Sequence, residues 1–390
     1  AGENPGEDPQ HDDLIPAAQS DDWRVSTSYL DTVPDCDVVL VTVPTPVNID
    51  LTPDLSFVRA AGASVFGSLA KGARTVVVLE STVYPGVTRE LWGGLLAELE
   101  LKEGVDVELA YCPERFVPGD PEHGVRQVPR VVGATNEDVG EGLAELYDTL
   151  TSGGVTYVGA IEVAEAAKVL ENTQRDINIA LMNEMAKICH LSGIRSADVL
   201  AAAGTKWNFL PFTPGLVGGH CIGVDPYYLT AHAERMGYHP EVILAGRRIN
   251  DGMPRYVATE LMRLMATSGT SIQGARVGVL GATFKENVPD VRNSKSAELL
   301  QQLRTFGMHA VCHDPLASNE EFEEDYGIAL ADLDAFTDLD ALIYAVPHRA
   351  YTGRIDDLIV DSLRDGGIVA DIKSALDPGA IPTGYTYWSL

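Results

Sequence analysis

Short apolar runs that alternate with helical patterns constrain the fold of this chain most. In the first half the runs are Val38–Val43, Thr75–Leu79, Val107–Tyr111 and Val155–Val158, with helical patterns from about Asp54, Gly86 and Asn136. Further along they resume as Arg276–Leu280, Ala310–His313, Ala341–Val346 and Ile368–Asp371. Buried parallel strands are nearly continuous apolar segments, and their connecting helices cover both faces of the sheet. The pattern therefore predicts two α/β domains with parallel sheets.

A long helical pattern lies between the two sets of strands. It runs from Glu162 to Leu191 without Pro or Gly, about 30 residues and hence roughly 45 Å, a length typical of a helix that links domains. A second helical stretch, Glu241–Met265, is interrupted near Gly252 and Pro254. We expect two Rossmann-like doubly wound domains, at 1–160 and 269–390, joined by this long central helix and a helical middle domain at 161–268. The polar first thirty residues are expected to form a loop.

The charge of the chain restricts its partners. It has 57 acidic and 28 basic residues and a net charge of −29, and only eight of the basic residues are lysines. Such a surface repels nucleic acid and anionic membranes, and it suits a cytoplasm of very high salt, which predicts a halophilic origin. No apolar run approaches the roughly 18 residues of a membrane span. Five widely spaced cysteines indicate neither a disulfide framework nor a metal site.

The segment Gly218–Pro226 carries the clearest chemical signal. It places Cys221 just after two glycines and four residues before Asp225. Glycines let the backbone turn tightly and approach a ligand closely, so a thiol in this position is open to substrate, and the carboxylate can bind water or a base beside it. The alternative is a glycine turn with a merely buried cysteine, since free cysteines are among the most buried residues.

Polar motifs follow several predicted strands. They are Pro44-Thr45-Pro46, Glu80-Ser81-Thr82, Cys112–Arg115, Thr283–Asn287 and Asp371-Ile372-Lys373. Each alone is ordinary turn chemistry, but doubly wound sheets bind ligands at the carboxyl ends of their strands. The recurrence of such motifs at this kind of position favours ligand binding.

The sequence contains no G-x-G-x-x-G, the phosphate-binding loop that opens a dinucleotide domain. The first recognisable strand resembles the third or fourth strand of such a domain. We therefore expect the sequence to begin inside this domain, with the first βαβ unit absent.

Together the motifs resemble the UDP-glucose/GDP-mannose dehydrogenase family, over nearly the whole chain and most closely its UDP-N-acetylhexosamine group. The matching strings are Glu171–Asp176, Gly204–Pro211, the cysteine segment, Leu244–Asn250 and Phe284–Asn287. The resemblance implies a cytoplasmic, NAD-dependent oxidation of a UDP-sugar C6 alcohol to a carboxylate, in two steps at one site, for polysaccharide biosynthesis. It also implies a homodimer or larger homo-oligomer built on the central helices.

The resemblance assigns roles to individual residues. Cys221 is the nucleophile that holds the aldehyde, Asp225 helps to activate water, and Glu114 assists thioester hydrolysis. Lys168 and Asn172, four apart on one helix face, match the pair that stabilises the oxyanion at C6; from the pattern alone, a solvated face with an ion pair between residues 171 and 175 is the alternative. Thr82 lies near the nicotinamide and the catalytic water.

The remaining assignments concern binding. The residues matched to the cofactor are Thr45, Pro46, Thr82, Glu114 and Arg292. Those matched to the UDP-sugar are Lys168, Asn172, Lys206, Phe209, Leu210, Gly218, Gly219, Lys285 and Lys373. Pro118 replaces a second carboxylate found in UDP-glucose enzymes, which favours an acetamido sugar.

Lysine scarcity supports these assignments independently of the family. Four of the eight lysines (Lys168, Lys206, Lys285 and Lys373) stand in the motifs, where a compact ammonium suits a diphosphate or an oxyanion. A chance distribution is the alternative.

Two other functions compete with this one. A Cys/His hydrolase is disfavoured because His220 and Cys221 are adjacent on an extended loop and point in opposite directions. A chain that binds UDP-sugar without turnover would follow from the absent βαβ unit. The resemblance favours UDP-N-acetylglucosamine as the substrate, with UDP-N-acetylmannosamine, UDP-N-acetylgalactosamine and UDP-glucose as alternatives. No motif distinguishes N-acetylglucosamine from N-acetylgalactosamine, which differ only at C4.

Overall fold

The structure is a computed structural model that describes residues 24–48, 50–116 and 122–390. The chain divides into two units. The first contains the described residues up to Asn172 together with Val224–Pro240, and the second contains Thr173–Gly223 and Glu241–Leu390. Residues 24–30 lack regular structure, and the rest of the predicted N-terminal loop lies outside the described residues. The three predicted domain ranges stay a prediction.

Five strands form the sheet of the first unit in the order β1-β2-β3-β4-β5. They are Val38–Val41, Thr75–Leu79, Val107–Tyr111, Arg130–Ala134 and Val155–Tyr157. Strands β1 to β3 are parallel, with Thr75 of β2 paired with Val107 of β3. Strand β4 is antiparallel to β3, so the expectation of a purely parallel sheet is wrong here. The second and third predicted strands have the observed bounds, because each is a mostly apolar run, whereas β4, of the same length, was not predicted.

Five parallel strands form the sheet of the second unit in the order β10-β9-β8-β6-β7. They are, from β6 to β10, Arg276–Leu280, His309–His313, Leu339–Tyr344, Leu363–Asp371 and Thr386–Ser389. Strand β6 lies between β7 and β8, so the chain leaves β6 toward one side of the sheet and later returns to the other. This is a topological switch point, and the carboxyl ends of β6 and β8 enclose the crevice where doubly wound sheets bind ligands.

Eleven α-helices, α1 to α11, occur within the described residues. In chain order they are Ser56–Phe66, Gly93–Glu98, Glu137–Asp148, Ile161–Leu191, Ser196–Gly204, Asp225–Arg235, Glu241–Asp251, Met253–Ser268, Lys295–Thr305, Asn319–Tyr326 and Ile355–Ser362. A π-helical turn, Thr88–Trp92, runs directly into α2. None of the helices in the described part of the chain is long and apolar enough to cross a membrane.

Helix α4 is the predicted long helix, with 31 residues from Ile161 to Leu191. It begins in the first unit and ends in the second, as expected of a helix that links domains. The predicted interruption of the second helical stretch is also observed, because α7 ends at Asp251 and α8 begins at Met253 with Pro254 in its first turn, where proline costs no hydrogen bond.

Each sheet is buried by helices. In the first unit, Val77 and Leu109 pack in a core with Trp92 of the π-helical turn. In the second unit, one face of the sheet, including Val277, packs with α8 and α9, and the other, including Val369, packs in a separate core with Ile359 of α11. Two α/β sheets linked through a long helix were predicted, and this fold class is confirmed.

Candidate active site

The first unit gathers four of the sequence-predicted catalytic residues. Glu114 follows the carboxyl end of β3, Lys168 and Asn172 lie on α4, and Asp225 is the first residue of α6. The Lys168 ammonium donates to the Glu114 backbone carbonyl at 2.5 Å and lies 3.9 Å from Glu114 Oε2. The Asn172 amide donates to Asp225 Oδ2 at 2.5 Å. The Lys168 ammonium thus contacts Glu114, and the Asn172 amide contacts Asp225.

Burial changes the protonation of both carboxyls in this cluster. The pKa of Asp225 is raised to about 7, because burial penalises its charge more than the Asn172 hydrogen bond and the Lys168 charge favour it. Burial also raises the pKa of Glu114, against the opposing charge of Lys168. A carboxyl that titrates near neutral pH can take a proton from water and return it, and such shifted values concentrate at functional sites.

The ion pair between residues 171 and 175, considered for the helix face of Lys168 and Asn172, is replaced by another pair in the structure. Glu171 pairs with the Arg115 guanidinium, at 2.6 and 3.2 Å, rather than with Arg175. Arg115 also donates to the Pro129 carbonyl at 3.0 Å. Arg115 directly follows Glu114, so this bidentate pair ties the Glu114 segment to α4, one turn from Lys168. Pro118 lies outside the described residues.

Three candidate cofactor residues follow the first two strands. Thr45 and Thr82 are half-buried and Pro46 is exposed. The Tyr228 hydroxyl of α6 donates to the Pro46 carbonyl at 2.9 Å and contacts the Thr45 side chain. Helix α6 therefore fixes the segment after β1, while Thr82 stands three residues beyond β2.

The cysteine segment belongs to the second unit as far as Gly223, and close packing explains its glycines. A Cβ on Gly218 would lie 2.6 Å from the Asn293 carbonyl oxygen, and one on Gly219 would lie 2.8 Å from the Phe284 ring. Gly219 also has a φ of +83°, which side chains rarely adopt. Both glycines are therefore required for this loop to pack on Phe284 and Asn293. Cys221, two residues later, is partly exposed.

Two asparagines hold this loop. The Asn183 side chain of α4 bonds both backbone groups of Gly215, accepting from its N–H at 2.8 Å and donating to its carbonyl at 3.0 Å. The Asn293 amide donates to the Gly219 carbonyl at 3.2 Å. No sequence pattern pointed to Asn183, because its partner is 32 residues away. His220 Nδ1 lies 3.8 Å from Asp290.

Three lysines line a cleft at the switch point of the second sheet. Lys285 follows β6, Lys373 follows β9, and Lys295 begins α9. Gly218 forms part of the wall, which places the loop of Cys221 beside the lysines. Lys285 and Lys373 were predicted; Lys295 was not, although lysine scarcity was a signal that could have included it.

The lysines differ in how far their charge is already compensated. Lys373 lies 3.7 Å from Glu286, and Lys295 lies 3.3 Å from Asp251 and 2.5 Å from Glu298. Across the described ranges, no carboxylate oxygen is within ion-pair distance of Lys285 Nζ. Lys285 is thus the lysine in the cleft best able to attract an anion.

Lys206, Phe209, Leu210 and Arg292, which were predicted to bind ligands, do not line this cleft. Lys206 and Leu210 are exposed and Phe209 is half-buried, in the segment after α5. Arg292 forms a bidentate pair with Asp290, at 2.6 and 3.0 Å, and keeps 59% of its side chain exposed. Their roles stay predictions.

Comparison with known proteins matches three parts of this chain to models of one family. Residues 1–151 match the NAD binding domain, residues 162–252 the central domain and residues 278–378 the UDP binding domain of the UDP-glucose/GDP-mannose dehydrogenase family. NAD is the cofactor that the family domain implies, as the resemblance indicated.

Curated relatives and solved structures agree. Protein CapL of Staphylococcus aureus is 43% identical over 93% of this chain and 85% of its own length. The UDP-N-acetyl-D-glucosamine 6-dehydrogenase of Pseudomonas aeruginosa is 43% identical over 90% of this chain and 83% of its own length. The NDP-N-acetyl-D-galactosaminuronic acid dehydrogenase structure from Methanosarcina mazei Go1 superposes with a TM-score of 0.85 at 28% identity, over 100% of this chain and 85% of that one. The resemblance inferred from the motifs is confirmed: the chain belongs to the UDP-glucose/GDP-mannose dehydrogenase family.

Proposed function

We propose that this chain is an NAD-dependent UDP-N-acetylhexosamine 6-dehydrogenase that oxidises the C6 alcohol of UDP-N-acetylglucosamine to a carboxylate. The observation that carries this proposal is the cleft of the second unit, where Lys285 and Gly218 share one wall. A diphosphate needs compact positive charge, and the Gly218 loop brings a thiol to the same unit. The relative from Pseudomonas aeruginosa, which carries the name of this activity, supports the choice of sugar.

The first unit offers groups that fit the nicotinamide side of NAD+. Glu114 Oε1 is buried and receives no hydrogen bond from any described residue, so a hydroxyl or amide donor of a bound cofactor would satisfy it. Thr45, Pro46 and Thr82 follow β1 and β2, and ligands of parallel sheets bind at such strand ends. We assign these four residues and Arg292 to the cofactor. When bound, NAD+ supplies the hydride acceptor for each oxidation.

The residues of the chain account for the remaining steps. As C6 gives up its first hydride, its hydroxyl proton must leave, and Lys168 and Asn172 would stabilise the charge that develops on the oxygen. The Cys221 thiolate then adds to the aldehyde carbon and forms a C–S bond. Loss of a second hydride from that carbon leaves a thioester.

Hydrolysis completes the reaction. Asp225, with Glu114, takes a proton from water while the water oxygen bonds to the thioester carbon. The C–S bond then breaks, and the sulfur leaves as the Cys221 thiolate. The balance is one alcohol, one water and two NAD+ converted to one carboxylate, two NADH and three protons.

Product stoichiometry tests the proposal. Purified protein is incubated with NAD+ and UDP-N-acetylglucosamine, and both NADH and the uronic acid are quantified. We expect two NADH for each uronate, with UDP-N-acetylgalactosamine, UDP-N-acetylmannosamine and UDP-glucose as slower substrates. One NADH for each product would overturn the thioester route, and UDP-sugar binding without NADH formation would overturn the enzyme assignment. A faster rate with another sugar would reassign the substrate.

Lys285 is expected to bind the ground-state ligand. Lys285→Ala should weaken UDP binding roughly 10-fold or more, because a hydrogen bond to a charged group contributes about 1.5–3 kcal/mol. Turnover at saturating substrate should change much less. Calorimetric titration with UDP measures the first effect and steady-state kinetics the second. Exposed Lys71 supplies the matched control Lys71→Ala; equal UDP affinity in the two variants would contradict the assignment.

We also propose a homodimer or larger homo-oligomer built on α4. Leu181, Ile188 and Leu191 are 50%, 47% and 90% exposed. Their spacing of seven and three residues puts them on one face of the helix, and such an apolar stripe is unusual on a free surface.

Charged substitutions on this stripe test the assembly. The double substitution Leu181→Glu with Ile188→Glu should convert the oligomer to a monomer, because two carboxylates cannot be buried unpaired in an apolar interface. Light scattering after size-exclusion chromatography measures the mass. Val360→Glu on α11 replaces an apolar side chain of similar exposure, 51%, and should leave the mass unchanged. A double variant that keeps the wild-type mass would exclude α4 as the interface.

We place the enzyme in the cytoplasm. Cys36, Cys112, Cys189 and Cys312 are free thiols, and free thiols are typical of reducing compartments.

A further inference from the structure

His348 is a fully buried imidazole just beyond the carboxyl end of β8, at the switch point of the second sheet. Its ring spans two neighbouring segments. Nδ1 lies 3.0 Å from the backbone nitrogen of Asn287, and Nε2 lies 2.9 Å from Asp314 Oδ2 and 3.0 Å from the Thr283 hydroxyl. Neither the family motifs nor the catalytic steps above use this residue.

These partners determine the tautomer of the neutral ring. A backbone N–H can only donate, so the Asn287 contact requires a lone pair on Nδ1. The proton of the neutral ring is then on Nε2, where the Asp314 carboxylate accepts it. A second proton on Nδ1 would place two donors against each other and break the contact with Asn287.

Asp314 is fixed independently of the histidine. Besides the imidazole, it accepts hydrogen bonds from four backbone N–H groups, those of Ala282, Thr283, Leu316 and Ala317. These bonds hold the carboxylate, and the carboxylate in turn holds the ring. His348 is therefore a rigid support rather than a mobile side chain.

The supported segment is the loop that carries Lys285. Its residues Thr283–Glu286 line the cleft. At one end the Thr283 hydroxyl donates to the Lys285 carbonyl at 3.0 Å. At the other, Asn287 has a φ of +61°, and its side chain accepts from the Arg349 N–H at 2.8 Å. The loop is thus joined to the segment after β8 at His348 and Arg349.

We propose that His348 is a positioning residue for substrate binding: its Nδ1 lone pair holds the Thr283–Asn287 loop so that Lys285 faces the diphosphate of the nucleotide sugar. The ligand in this statement rests on the proposed function, whereas the contact between His348 and Asn287 does not. His348 would touch neither the substrate nor the reacting atoms. Its removal should therefore affect UDP affinity and leave turnover at saturation largely intact.

Two substitutions separate the functions of the two ring nitrogens. His348→Asn can place its amide oxygen where Nδ1 stands, so it keeps the acceptor for Asn287. His348→Gln can place its amide nitrogen where Nε2 stands, so it keeps the donor to Asp314 but loses that acceptor. His309→Gln, at an exposed position of β7, controls for the substitution itself.

Two measurements are made on the full chain. Hydrogen exchange should show faster exchange of the Asn287 amide in His348→Gln and near wild-type exchange in His348→Asn. In calorimetric titration with UDP, His348→Gln should bind about 10-fold more weakly and His348→Asn within roughly threefold of wild type, the range expected for one hydrogen bond. The turnover number of both should stay within roughly twofold of wild type, with the change in KM instead.

Each result has a distinct meaning. Unchanged exchange of the Asn287 amide in His348→Gln would overturn the proposal that His348 holds this loop. Equal loss of UDP binding and thermal stability in both variants would also overturn it, because a merely structural role does not distinguish Asn from Gln. If the wild-type protein bound no UDP, the proposed function would fail, while amide exchange would still decide the contact between His348 and Asn287.

Discussion

Cys221→Ser is expected to lose nearly all turnover of UDP-sugar to uronate, on the order of 10³-fold or more, as for other essential nucleophiles. A serine hydroxyl is a much weaker nucleophile than a thiolate at neutral pH, and an ester formed on it would hydrolyse slowly. The loss should fall on the turnover number rather than on UDP affinity, because the lysines proposed to bind UDP are unchanged. Stopped assays analysed for uronate measure the first, and calorimetric titration the second.

Controls separate chemistry from packing in this experiment. Cys36→Ser makes the same change at a partly exposed cysteine of the first unit and should retain wild-type turnover. Mass spectrometry of Cys221→Ser after incubation with substrate is expected to show a covalent sugar ester on the protein. Near wild-type uronate production by Cys221→Ala would rule out covalent catalysis by this residue.

Much of the fold follows from local patterns. Thr75–Leu79, Val107–Tyr111 and Arg276–Leu280 were predicted with their observed bounds, because strands buried on both faces are mostly apolar. Strand β4, Arg130–Ala134, was not predicted, although it has five residues with one arginine and one glycine, as β6 has. Its antiparallel pairing with β3 could not be predicted, since register depends on a partner distant in sequence.

The residues of the candidate site also differ in whether local sequence patterns could predict them. The sequence motifs include Cys221, Lys285 and Lys373. The two lysines line the cleft. His348 escaped notice because its partners, Asn287, Thr283 and Asp314, are 34 to 65 residues away. Its position just after a strand was nevertheless a signal, since ligands bind at the carboxyl ends of parallel strands. Lys295 was not predicted because it lies outside the recognised motifs.

Burial of the Asp225 carboxyl raises its pKa, and this shift affects both activity and stability. Its carboxyl has an ordinary pKa of 3.8 and a pKa of about 7 in the folded chain, mainly because burial penalises the charge. Between these values the folded state holds a proton that the unfolded state has lost. The free energy of unfolding therefore falls as pH rises through this window, by at most a few kcal/mol, and the penalty is complete above about pH 7. The ionised carboxylate, the form able to accept a proton from water, is thus also the form that destabilises the fold.

Asp225→Asn should consequently slow turnover and stabilise the protein at high pH. Loss of a general base lowers turnover roughly 10²- to 10⁴-fold, and the wild-type inflection near pH 7 in the pH–rate profile should disappear. Because an asparagine amide oxygen can still accept from Asn172 and carries no charge, the variant should melt higher than wild type at pH 8. At pH 5 Asp225 is neutral in the folded chain but already ionised in the unfolded chain, so the variant should still melt higher than wild type, by a smaller margin than at pH 8. Steady-state rates and thermal unfolding at several pH values measure both effects, and a variant less stable than wild type at pH 8 would show that the Asp225 charge is compensated in the folded chain.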